Sequence, residues 1–126
     1  MKKIEDLKWG EIRLERLFDI CSTKSSIDRN RLTGQKGAFP YITRTDKDNG
    51  VDDFIDQQPS YDTDEGNVIT IGLDTQTVFY QPSEFFTGQN IQVLRNIHLN
   101  KYVALFLVPL IKIQMVKFLH NKMCGT

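Results

Sequence analysis

The sequence predicts an α+β domain: a twisted, largely antiparallel sheet with one C-terminal helix, Lys101 to about His120, packed on it. Short runs rich in β-branched and aromatic residues, above all Val68-Ile69-Thr70-Ile71-Gly72 and Thr77-Val78-Phe79-Tyr80-Gln81, recur between Phe39 and Leu94 and are separated by Gly, Asp, Asn and Pro. That alternation of run and breaker is the pattern of strands. Asn49-Gly50 lies between two such runs, and both residues accept the positive φ that a tight hairpin turn requires. An apolar pattern of helical length follows only after Asn100.

Taken in order, Leu7 to Cys21 predicts a short strand and then a turn of helix, with Ile12 and Leu14 alternating with charge and Leu17, Phe18 and Ile20 forming an apolar patch. Trp9 is expected to lie as a lid over the core. Ser22 to Gly37 carries Lys24, Arg29, Arg31 and Lys36 among Ser, Thr, Asn and Gly with no apolar period, so it reads as a long loop. Phe39 to Thr45 is a predicted strand, and Val51, Phe54 and Ile55 mark a less regular return strand. After a loop at Gln57 to Gly66 come the strands at 68–72 and 77–81, joined by a turn around Asp74-Thr75. The corner Phe85-Phe86-Thr87-Gly88 leads to a last strand at Ile91 to Leu94. Asn100 is placed to cap the helix. Tyr102, Leu105, Phe106, Leu110, Ile113 and Phe118 predict its buried face, while the apolar stretch Val103 to Leu110 implies burial on more than one side. Pro109 should bend or break it, because the ring removes a backbone donor and clashes with the preceding turn.

At 126 residues the chain predicts one domain with one core. Apolar and charged fractions of 40% and 25% are those of an ordinary globular protein, not of collagen-like, disordered or membrane chains. Formal charge sums to zero but is unevenly spread. Val51 to Gln92 contains no Lys or Arg and holds Asp52, Asp53, Asp56, Asp62, Asp64, Glu65, Asp74 and Glu84, whereas every charged side chain from Val93 onward is Lys or Arg. A bipolar molecule is the expectation. The neutral total argues against strong sequence-independent binding to polyanions, which depends on Lys and Arg displacing counterions. Cys21 and Cys124 lie far apart with no Cys-x-x-Cys, so reduced thiols and a cytoplasmic location are expected. The N-terminus lacks the apolar core of a signal peptide. The run Val103 to Ile111 is far short of the roughly 20 residues that span a bilayer, so no membrane association is expected.

Catalytic signatures are missing: no phosphate-binding Gly-rich loop, no Gly-x-Ser-x-Gly and no His-Glu-x-x-His occur, and His98 and His120 are expected to be solvated. The carboxylates between Asp52 and Asp74 could in principle hold a divalent ion, but they fall in loops without a nearby lysine, and neither a metal nor any other cofactor is predicted. With no Asn-Pro-Pro-Tyr or Asp-Pro-Pro-Tyr present, a base-methylating centre in this chain is excluded. Recognition chemistry is better represented. Arg44 and Lys47 can pair with phosphate or with guanine O6 and N7, and Asn49, Gln89 and Asn90 carry the amide that pairs with adenine. Thr43 and Thr45 suit phosphate oxygens. Lys24, Arg29, Arg31 and Lys36 could track a backbone, though a solvated loop explains them equally well.

Pro40-Tyr41-Ile42-Thr43-Arg44-Thr45 followed by Asn49-Gly50-Val51 resembles the target-recognition domains of type I restriction-modification specificity subunits. The ordered features continue through Val68 to Gly72, Phe79-Tyr80-Gln81, Phe85 to Ile91 and Leu99-Asn100-Lys101-Tyr102, and Trp9-Gly10-Glu11 through Leu17-Phe18-Asp19-Ile20 resembles how such domains begin. The resemblance covers roughly residues 7 to 119. It implies a module that reads double-stranded DNA and carries no catalytic residues, with a DNA methyltransferase subunit and a restriction subunit as its partners. In that family two such domains, joined by long helices, each read half of a split site.

The expectation is therefore a single DNA target-recognition domain, 1–126, without the spacer helix and second domain that the family pattern would place after the Lys101 helix. It would be a fragment, a truncated gene product, or a half-size subunit that forms a homodimer. The loop Thr43 to Asn49 would enter a groove, helped by Ser22 to Lys36 and by Gln89 and Asn90. The rival expectation is a standalone interaction or oligomerisation module that works through its apolar helix, and a small metal-dependent hydrolase stands third.

Overall fold

The computed structural model describes residues 14–72 and 74–119, so Trp9, Leu73, His120 and Cys124 lie outside the described residues. Helix α1 (Leu14–Leu17) leads into β1 (Asp19–Ser22). There follow β2 (Lys36–Ile42), β3 (Val51–Ile55), β4 (Val68–Gly72), β5 (Thr77–Gln81), β6 (Phe86–Thr87), β7 (Ile91–Arg95) and α2 (Lys101–Leu119). Single 3₁₀ turns occupy Arg29–Arg31 and Asp48–Gly50. The turn of helix lies at Leu14–Leu17, and Asp19–Ser22, expected to follow as a helical turn, is a strand; the strand predicted from Leu7 falls mainly on residues outside the described ones. Within the predicted loop, Arg29–Arg31 forms a turn capped by Asp28, whose side chain accepts from Asn30 N, and β2 begins earlier than expected, at Lys36.

The α+β class is as predicted, with two sheets where one was expected. β1, β7, β4 and β5 form an antiparallel sheet in that order, and β3, β2 and β6 form a second in which β6 runs parallel to β2. The period of two in β4 explains why both faces are buried: Ile69 and Ile71 face one way, Val68 and Thr70 the other. Ile69 and Ile71 join Phe18, Ile20, Val78 and Leu94 beneath α2. Val68 and Val93 instead meet Ile42 and Phe85, which places the second sheet against the opposite face. Ile27, Tyr41, Ile55 and Phe86 form a third cluster, closed over by Leu32 and Tyr61 from the connecting loops.

Asn100 caps α2 as expected, its Oδ1 accepting from the backbone N–H of Tyr102 at 2.9 Å and of Val103 at 3.0 Å. These are two of the donors that a helix start otherwise leaves unmatched. Asn100→Ala is expected to lower stability by about 1 kcal/mol, read from the urea midpoint. The helix continues through Pro109 without a break. Its buried face is not the predicted one: Ala104, Leu107 and Ile111 pack on the first sheet, while Tyr102, Leu105, Phe106 and Ile113 are exposed. Leu110 is half-buried, and the side chain of Phe118 lies outside the described residues. Since the segment is apolar nearly all round, periodicity alone could not choose between faces. Leu107 and Ile111 each contribute roughly 1.5–3 kcal/mol by burial.

Candidate nucleic-acid interface

The loop 43–50 leaves β2 at Ile42 and is closed where Thr43 N–H donates to the Gly50 carbonyl at 3.0 Å. Two threonines shape it from within. Thr43 Oγ1 accepts from Thr45 N–H at 3.4 Å and Thr45 Oγ1 from Lys47 N–H at 3.3 Å, so both hydroxyls serve the turn of the chain. Asp48, Asn49 and Gly50 hold φ of 51°, 58° and 79°, a left-handed run that Asp, Asn and Gly tolerate best. The Asn-Gly pair thus does reverse the chain, but through a longer loop than a two-residue hairpin. Gly50 also lets the loop sit on β5, where a Cβ would lie 3.0 Å from Phe79 Cδ2.

This loop is not a freestanding finger. At its far end Asn49 Nδ2 donates to the Tyr80 carbonyl at 2.8 Å and Gln81 Nε2 donates to the Asn49 carbonyl at 2.9 Å. At its near end Thr75 Oγ1 donates to the Arg44 carbonyl at 2.6 Å. A Cβ on Gly72 would stand 2.5 Å from Thr77 Oγ1 and 3.4 Å from Arg44 Cα, so glycine permits the close approach of the β4–β5 turn. The amide of Asn49, predicted as an adenine reader, is engaged with Tyr80 and would have to release it to do so.

Arg44 remains on the surface, but its guanidinium is paired: Nη1 lies 2.5 Å from Asp74 Oδ2, with side-chain exposures of 43% and 59%. No other hydrogen bond joins its guanidinium to a described residue. Lys47, also exposed, makes no ion pair with a described residue.

Register places several further predicted residues at the same end of both sheets. Gly72 pairs with Ile91 and with Thr77, Ser22 with Gln92, and Ile42 with Thr87. Gly88 N–H then donates to the Ile42 carbonyl at 2.8 Å. Exposed Gln89 and Asn90, the latter at φ 63°, therefore emerge beside Thr43 and Arg44. Lys36 does not join them. It starts β2 at the opposite end, about 20 Å away along the strand. Arg29 lies over the outer face of the second sheet, 2.6 Å from Asp52 and 5.5 Å from the centre of the Tyr41 ring. Its pKa is raised, first by the hydrogen bond to Asp52. Arg31 shares the same turn and is exposed without an ion pair to a described residue.

The charge segregation seen along the chain is thus interleaved in space. Arg29 meets Asp52 and Asp53, Arg44 meets Asp74, and Arg95 meets Asp64. Asp64, only 2% exposed, anchors the start of the Ser22 to Lys36 segment by accepting the Lys24 N–H at 2.9 Å. Burial pushes its carboxyl above the ordinary aspartate range, against the lowering effects of that N–H and of the Arg95 and Lys24 charges. A raised carboxyl favours folding most below its unfolded pKa of about 4, and that contribution is lost as pH rises through the folded value. Relative to Asp64→Asn, the wild type should lose stability as pH climbs from about 4, followed by urea denaturation at stepped pH.

Asp74 and Thr75, a predicted turn whose carboxylate also belongs to the acidic cluster between Asp52 and Asp74, are the residues that hold Arg44. Their partner lies thirty residues earlier, and only the pairing of strands brings them together. Among the described residues no group of three or more His, Cys, Asp or Glu could hold a metal ion, and no helix is long and apolar enough to cross a membrane.

A two-sheet scaffold presenting a strapped loop of exposed polar and charged side chains is built as a recognition domain. The chain belongs to the type I restriction modification DNA specificity domain family, whose pattern it matches over residues 6–125. It is 27% identical over 96% of its length to the type II restriction enzyme BgcI specificity subunit S.BcgI of Heyndrickxia coagulans, and spans 35% of that protein. Its fold resembles the type I restriction-modification S subunit of M. genitalium, with TM-score 0.56 and 17% identity over 88% of this chain and 29% of that one. The HsdS subunit of Thermoanaerobacter tengcongensis is equally similar in fold, with TM-score 0.56 and 14% identity over 84% of this chain and 28% of that one. The chain therefore spans about a third of the length of these relatives.

Proposed function

We propose that this domain reads one half of a double-stranded DNA site as the specificity element of a restriction-modification system in the cytoplasm, with bond-making left to a DNA methyltransferase subunit and a restriction subunit. The observation that supports it most is the strapped tip: Thr43, Arg44, Thr45 and Lys47 stand on a loop tied to β5 and to the β4–β5 turn, with Gln89 and Asn90 at the same sheet end. A loop ordered before binding loses less conformational entropy on contact, so more of each contact appears as affinity. In this reading Arg44, Gln89 and Asn90 face base edges, and Lys47 meets phosphate. Lys24, Arg29 and Arg31 flank the duplex at longer range; Lys36, at the far end of β2, contributes least.

Selection from a random duplex library, run with and without a candidate methyltransferase subunit, tests the proposal. Enrichment of a defined sequence supports it, and an unselected pool in both arms refutes it.

One observation favours a homodimer as the way two half-sites are joined. Tyr102, Leu105 and Ile113 are 70%, 75% and 75% exposed along one side of α2, a contiguous apolar stripe of the kind that marks an interface. Equilibrium sedimentation decides it: a monomer at micromolar concentration removes this second reading and leaves the first intact.

A further inference from the structure

We infer that Arg44 and Asp74 act as one reading unit for a single G·C base pair in the major groove, with Asp74 a specificity-determining residue in its own right. The inference rests on the DNA-reading function proposed above and names what that tip selects. Arg44 Nη1 is bound to Asp74 Oδ2, and both side chains are substantially exposed. Their backbones are tied together by the Thr75 hydroxyl on the Arg44 carbonyl, and by the absence of a Cβ at Gly72. The two groups are therefore presented side by side.

A guanidinium has five N–H donors, so the bond to Asp74 leaves an edge with two donors in parallel. The carboxylate beside it is an acceptor only. Together the pair offers two donors followed by an acceptor. The major-groove edge of G·C offers the complement, N7 and O6 as acceptors followed by the cytosine N4 amine as donor. A·T presents acceptor, donor, acceptor, which this row does not match. An ion pair also carries no net charge, so it is a poor ligand for phosphate, where affinity comes from uncompensated Lys and Arg. The tip is thereby turned from backbone binding to base reading, with Lys47, which makes no ion pair with a described residue, beside it for phosphate.

The test is selection from a random duplex library with the wild-type chain, Asp74→Ala and Arg44→Ala, each first shown to keep its urea midpoint. Wild type should enrich a position occupied by G·C, and both variants should lose about 10-fold of the preference at that same position. Two results overturn the inference and spare the function: Asp74→Ala enriches the wild-type sequence unchanged, or the two variants relax different positions. If the wild type enriches nothing either alone or with a methyltransferase subunit, the function itself fails and the inference falls with it.

Discussion

Arg44→Ala should relax the domain's discrimination among DNA sequences at the base pair that this residue reads, while leaving its fold intact. A well-placed bidentate contact to a base is worth roughly 1–3 kcal/mol against the wrong base, a factor of about 5 to 150 in relative affinity. The ion pair to Asp74 that the substitution also removes lies at the surface, where pairs contribute about 0–1 kcal/mol to stability. The two effects therefore separate cleanly. Competition binding between an enriched duplex and one changed at that base pair, beside urea denaturation of the same samples, should show that preference lost and the midpoint nearly unmoved. Discrimination that survives Arg44→Ala would remove this residue from the site. Because the Arg44 backbone carbonyl still accepts from Thr75, the loop keeps its strap and any loss is assigned to the side chain.

Phe86→Ala is expected to have the largest effect on folding. Phe86 is fully buried and meets Phe39 edge to face, with ring centroids 5.4 Å apart and planes at 69°. It is joined by Ile27, Tyr41 and Ile55. Removing a buried phenyl ring costs about 3–5 kcal/mol through lost burial and the cavity left behind. Against a total stability of about 5–15 kcal/mol for a domain, that is a large share. The position is also a structural junction. Phe86 pairs with Tyr41 in the short parallel ladder, and the next residue, Thr87, accepts the Ile27 N–H at 2.8 Å and meets Ser25 and Thr23 through its hydroxyl. Loosening β6 thus loosens both the segment carrying Arg29 and Arg31 and the exit toward Gln89 and Asn90. Urea unfolding followed by circular dichroism measures the loss, and a change below about 1 kcal/mol would contradict this account of the second sheet.

Strand identity was legible wherever a run could be recognised by its own residues. Val68–Gly72 and Thr77–Gln81 are β-branched and bounded by breakers, and they are strands with the predicted bounds. Asn100 was legible as a cap because a cap is a local bond between one side chain and the next turn. The exposed face of α2 was not, since nearly every residue from Val103 to Leu110 is apolar and only the sheet beneath selects Ala104, Leu107 and Ile111. Nor was the division into two sheets, since strand partners are chosen between distant segments, as where β6, a strand of two residues, pairs with β2 across more than forty positions.

By itself the sequence determined the α+β class, the order of the central and C-terminal strands, the capped helix and the charged loop after β2, because each is encoded in neighbouring residues. Tertiary structure alone decided that the loop is strapped rather than free, that Arg44 meets Asp74, and that Lys36 stands at the wrong end to join them. The physical reason is that charge pairing and strand register act between segments distant in the chain, and no local pattern specifies which carboxylate a given guanidinium will find.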